Sequence, residues 1–173
     1  MIKHRGFTVL EFIVVCLIVA LSVWALIPRV TDALKLAHEQ AVENTGMALR
    51  ESISFANYKW KAGVTQAKQL AWLNQPFNAL WLNDRGYPIR TDLDRQTETL
   101  TAAQCTHIWR AVLGGAPPSA SEHDQTAYRV LSYFDAKHGL GCIFRYELAG
   151  SMAIYYFPES GIVYWNNRFE GPL

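Results

Sequence analysis

The chain has 173 residues, of which 50% are apolar and 13% aromatic, enough to build one folded domain and incompatible with wholesale disorder. Sixteen Lys and Arg stand against 15 Asp and Glu, a formal net charge of +1 that gives no basis for a nucleic-acid partner. The apolar residues are spread unevenly, and a dense block near the N-terminus governs the rest of the reading.

Residues Met1 to Gly6 read MIKHRG, with positive charges at Lys3 and Arg5. From Phe7 to Ile27, 21 residues follow whose only polar members are Thr8, Glu11 and Ser22. A helix of that length covers about 32 Å, close to the hydrocarbon thickness of a bilayer. The basic leader predicts a single-pass segment with its N-terminus in the cytoplasm and the bulk of the chain outside. Processing admits several routes. Val23-Trp24-Ala25 loosely fits a signal-peptidase site, which would release a soluble domain. A lipoprotein route through Cys16 is poor, because bulky Val15 precedes it. An uncleaved anchor is the plain alternative.

None of these routes explains Glu11, a carboxylate that costs on the order of 3 kcal/mol inside a membrane helix. No basic residue lies between Arg5 and Arg29 to pair with it. A cut before Phe7 would create an α-amino group one helical turn away, its own or a neighbour's. At an effective dielectric near 20 that pair is worth roughly 4 kcal/mol before desolvation.

The run Arg5-Gly6-Phe7-Thr8-Val9-Leu10-Glu11, followed by an apolar stretch to Pro28, resembles the class III signal sequence of type IV pilins and pseudopilins. The resemblance implies cleavage between Gly6 and Phe7 by a prepilin peptidase and methylation of the new Phe7 amine. It implies that Glu11 neutralises a neighbouring subunit's N-terminus, and that Pro28 is the helix-kinking proline. Val9, where Leu or Thr is usual, and Cys16, within the aliphatic set, depart from the pattern. Removing the leader removes two basic residues and leaves a formal net charge of −1.

Beyond Pro28 the helical period continues. Val30, Leu34, Ala37, Ala41, Thr45, Ala48, Ser52 and Phe55 fall in steps of three and four, a stripe of mostly small residues that suits close approach of another helix or of a sheet, in the plainest case that of its own domain. Asn44-Thr45-Gly46 is its weak point, because Gly costs about 1 kcal/mol against Ala in a helix. One helix is predicted from about Phe7 to Trp60, bent at Pro28. Gly63 ends it, and a short helix is expected around Thr65 to Leu73.

Asn83 to Pro88 is a turn cluster. Asp92-Leu93-Asp94 fails as a calcium loop, since Thr97 and Ala103 stand where Gly and Glu are needed, and reads as a solvated acidic turn. Thr101-Ala102-Ala103-Gln104 is a capping box that opens a helix with Cys105, Ile108, Trp109, Val112 and Leu113 on its apolar face, stopped by Gly114-Gly115. After a polar loop from Ala116 to Gln125 come four strand-like runs: Ala127 to Phe134, Gly141 to Leu148, Met152 to Phe157, and Ile162 to Asn166. Their short turns require antiparallel neighbours. The expected fold class is therefore α+β, a long N-terminal helix packed on a four-stranded antiparallel sheet. The expected organisation is a leader over 1–6, an assembly helix over 7–27, its periplasmic continuation over 28–61, and a head over 62–173.

Of three cysteines, Cys16 reads as a small apolar filler. Cys105 and Cys142 lie in a region expected to be exported, which favours a disulfide over two free thiols. It would close a loop of 38 residues, for which chain entropy gives about 4 kcal/mol. A zinc site built on Cys105 and His107 lacks further ligands at matching spacing. The Gly86-Tyr87-Pro88 turn, the Cys105-x-x-Ile108-Trp109 helix with Leu113, and the Tyr156-x-Pro158-x-x-Gly161 turn resemble those of MSHA-type pilins.

No catalytic case emerges. Ser121, His123 and Asp124 are neighbours in sequence, which does not make a triad. His4, His38, His107, His123 and His138 are scattered without ligand spacing, and no nucleophile elbow, P-loop or zinc-protease motif occurs. No cofactor is expected. The family resemblance implies as partners the prepilin peptidase, other pilin subunits and the inner-membrane assembly platform, with the chain ending in a pilus filament. A type II secretion pseudopilin and an anchored, uncleaved binding domain are the alternatives.

Overall fold

The computed structural model describes residues 8–63, 67–74, 76–94, 99–114, 118–123, 126–149 and 152–166. The chain divides into two compact units, Met1–Ala37 and His38–Leu173. Among the described residues the fold is α+β, with one 54-residue helix, a second short helix and two sheets.

Helix α1 runs from Val9 to Ala62 with Pro28 inside it. Every described residue of its first part, up to Ala37, is exposed. Within the second unit it buries Val42, Thr45, Gly46, Leu49, Ile53, Ala56 and Asn57, again in steps of three and four. This is not the stripe expected from the sequence. Of that set only Thr45 is buried, while Ala41, Ala48 and Phe55 face out. Two apolar stripes interleave on the helix. The one carrying Val42, Leu49 and Ile53 offers more apolar surface to bury, and it wins.

Gly46 is a contact point rather than a weak spot. The Trp165 indole lies so close to the helix there that a Cβ on Gly46 would come within 2.5 Å of the ring. Arg50, one turn along, holds its guanidinium 5.0 Å from the same indole and donates to Val163 O at 2.9 Å.

After α1 the chain forms a three-stranded antiparallel sheet, β1 (Gln69–Asn74), β2 (Phe77–Leu82) and β3 (Pro88–Thr91), in that order. The short helix expected from Thr65 to Leu73 is thus replaced from Gln69 on by a strand, and 64–66 lie outside the described residues. Gln, Ala and Leu are good helix formers, but pairing with β2 (Gln69 opposite Trp81, Leu70 opposite Leu80) overrides that preference.

The turn before β3 is tied at three points. Asn83 Oδ1 accepts the N–H groups of Arg85 and Tyr87, Gly86 takes φ +83°, and Asn57 Nδ2 reaches across to Arg85 O at 2.7 Å. The acidic turn that follows β3 is not solvated as expected. The Asp94 side chain is only 4% exposed, accepts from Thr91 N and Oγ1, and meets His107 Nδ1 at 2.6 Å.

Helix α2 (Ala102–Leu113) starts at the expected capping box, with Thr101 and Gln104 bonded reciprocally, and ends at Gly114 in the left-handed conformation. The second sheet has five strands rather than four: β4 (Ala120–Ser121), β5 (Tyr128–Asp135), β6 (Gly139–Tyr146), β7 (Ala153–Phe157) and β8 (Ile162–Asn166), in that order. The last four are antiparallel, as their turns require. The added strand is two residues of the polar loop paired parallel to the start of β5, too short to leave a sequence period.

One face of this sheet packs with α2 and the second half of α1 around Trp109, Tyr128, Phe144, Ile154 and Tyr156. Trp109 sits 5.0 Å from the Tyr128 ring and 4.4 Å from that of Phe144, between centroids. The opposite face carries a smaller cluster of Ile143, Ala153, Tyr155 and Phe157.

Two outcomes follow from this packing. Gly46→Ala, which raises stability by about 1 kcal/mol in an ordinary helix, should here lower the melting temperature, because the indole must move. Burial pushes the Tyr128 phenol up to about 12 despite an opposing contribution from Thr45. The unfolded phenol ionises near 10. Its share of stability is therefore complete below that pH and lost as pH rises toward 12. Ultraviolet titration should show this phenolate forming late, together with unfolding.

Candidate functional site

The features singled out in the sequence fall at two places, the start of α1 and the joints of the head. Gly6 and Phe7 lie outside the described residues. Thr8 is the N-cap of α1 and Glu11 its third residue. Glu11 Oε2 accepts from Thr8 N at 2.8 Å and from Thr8 Oγ1 at 2.9 Å, while Glu11 N donates to Thr8 Oγ1 at 3.3 Å. This is a capping box, the Thr-x-x-Glu pattern that precedes an apolar run. The partner of Glu11 is thus Thr8 and not only a cation, and the Thr8-x-x-Glu11 spacing is legible in the sequence. Both contacts use one carboxylate oxygen, and Oε1 has no hydrogen-bond partner among the described residues. The box uses two of the four N–H groups that a helix start leaves without an intrahelical partner, those of Thr8 and Glu11, and the positive end of the helix dipole also favours an anion at this end.

Among the described residues, α1 is the helix long and apolar enough to cross a bilayer, and none of its most apolar window is buried within the chain. Two of its hydroxyls bond back to the helix itself. Ser22 Oγ donates to Ile18 O and Thr31 Oγ1 to Pro28 O, each at 2.8 Å. Pro28 brings no N–H to the helix ladder, yet the helix continues through it. Cys16 is a free, exposed thiol of this apolar run.

In the head, Cys105 and Cys142 form a disulfide with Cα atoms 5.6 Å apart, both fully buried, which joins α2 to β6. Cys105 is therefore no zinc ligand. The three short motifs of the C-terminal part meet in space. Tyr156 Oη donates to Pro88 O at 2.7 Å, Asn83 Nδ2 donates to Pro158 O at 2.7 Å, and the Tyr87 ring packs where a Cβ on Gly161 would stand. Ile108 and Trp109 of the third motif pack in the same core. These residues fasten elements to one another.

Comparisons with family models, curated proteins and solved structures found no match to this chain. A long N-terminal apolar helix followed by a sheet is compatible with a pilin-like architecture.

Cys105→Ser should destabilise the head by about 4 kcal/mol in oxidising buffer and leave it close to the reduced native chain in excess dithiothreitol. Equal loss under both conditions would show that packing of the sulfur, not the bond, is what matters.

Proposed function

We propose that the chain is a type IV pilin-like subunit, a minor pilin that enters the inner membrane, is cut between Gly6 and Phe7 by a prepilin peptidase, and is built into a filament through α1. The observation that carries the reading is the start of that helix. An apolar run with no partner inside its own chain begins at a capped carboxylate that keeps one oxygen spare. A run of that kind needs lipid first and other apolar helices afterwards. The spare oxygen suits the methylated Phe7 amine of a neighbouring subunit, while Thr8 holds the carboxylate in place.

In this reading the head stands outside the membrane, where its disulfide is stable. The outward-facing Ala41 and Ala48 supply further helix surface for neighbours. The same architecture would serve a type II secretion pseudopilin.

Two measurements test the proposal. The intact mass of membrane-extracted protein should correspond to a chain starting at methylated Phe7. A start at Met1 would leave an uncleaved anchor, and a start after Ala25 a released domain. Glu11→Gln should preserve insertion and cleavage but lower incorporation into filaments about tenfold or more, since loss of only 1.4 kcal/mol of pairing has that effect. Undiminished incorporation would remove the pairing role.

A further inference from the structure

The head carries an open groove of about 500 Å³ between the last turns of α1, the edge strand β1 and the end of α2. Phe55 forms one wall and is 59% exposed despite its size. Its ring meets Trp72 edge to face, with centroids 6.0 Å apart and planes at 63°. Lys59, one turn further along α1, places Nζ 5.8 Å from the Trp72 ring and donates to Ala71 O at 3.3 Å. Trp72 Nε1 and Asn74 Nδ2 both donate to Ala111 O, at 2.8 and 2.6 Å. The shelf is thus held in one arrangement before anything binds, which lowers the entropy lost on binding.

The lining chemistry is one-sided. Among the described residues Lys59 is the only charged one that lines the groove, and no carboxylate among them does so. Among the described residues Lys59 also takes part in no salt bridge. A fitting ligand therefore combines an anion with a flat surface of C–H bonds, whose slight positive charge suits the electron-rich face of an aromatic ring. An extended peptide suits the groove badly. Lys59 already occupies the Ala71 carbonyl of the edge strand, and the pairing of β1 with β2 shifts register between Ala71 and Asn74, which interrupts a regular ladder.

We propose that this groove binds an acidic saccharide. A pyranose ring lays its apolar face on Phe55, and a ring carboxylate, as in a uronic acid, pairs with Lys59. The proposal concerns the head alone and does not depend on the filament reading.

The test uses the full chain in detergent micelles and isothermal titration with trigalacturonate, against maltotriose as a neutral sugar of the same size and triglutamate as an anion without rings. Trigalacturonate should bind at low salt at least about tenfold more tightly than either control. Lys59→Gln and Phe55→Ala, both at exposed positions and so compatible with folding, should each weaken it by a similar factor while circular dichroism stays unchanged. No binding of trigalacturonate, equal binding of maltotriose or triglutamate, or full binding by the two variants would each overturn the proposal.

Discussion

The structure depends on one constraint, that a single helix must suit two environments. Up to Ala37 every described residue of α1 is exposed, and an apolar surface of that extent favours removal from water. From Val42 to Asn57 the same helix becomes the spine of a water-soluble core. The change takes place without a break in the helix, so it is written wholly in the side chains. The apolar run gives way to a period of three and four residues, with Lys, Glu and Arg on the remaining faces.

Around that spine the head is closed by a few specific fastenings. The disulfide joins α2 to β6, Asn57 and Asn83 fix the turn before β3, and Tyr156 holds Pro88 from the centre of the larger sheet. The Asn57, Asn83 and Tyr156 side chains in these joints each have a partner, as removal from water demands. Asp94 shows the same rule. An aspartate is tolerated beneath the surface because two donors on Thr91 and the ring of His107 surround it.

Much of this was legible in the sequence, and the failures have physical reasons. Helix α2 could be read from Thr101, Gln104 and Gly114, because capping is decided within one turn of the chain. Strands β5 to β8 could be read from their apolar and aromatic runs and the tight turns between them. The first sheet could not, since Gln69 to Asn74 is made of helix formers and becomes a strand only through β2. The buried face of α1 was misjudged because small residues form one stripe and larger ones another, and only the partner decides between them. Gly46 was read as a defect for want of Trp165, 119 positions away. At the start of α1, Glu11 was recognised as anomalous but its partner Thr8 was overlooked. The groove of Phe55, Lys59 and Trp72 left no local signal, because three separate elements build it.

The contact between Gly46 and Trp165 also bears on the order of events in time. The indole that completes the face of α1 belongs to β8, the last described strand, and Arg50 likewise waits for Val163. Contacts of such long sequence separation form late, because a long loop must close before they return any stability. During synthesis the N-terminal segment is made first, while the C-terminal strands are still at the ribosome. Until β8 arrives, the face of α1 around Gly46 stays open, and for that interval it is exposed to chaperones and proteases.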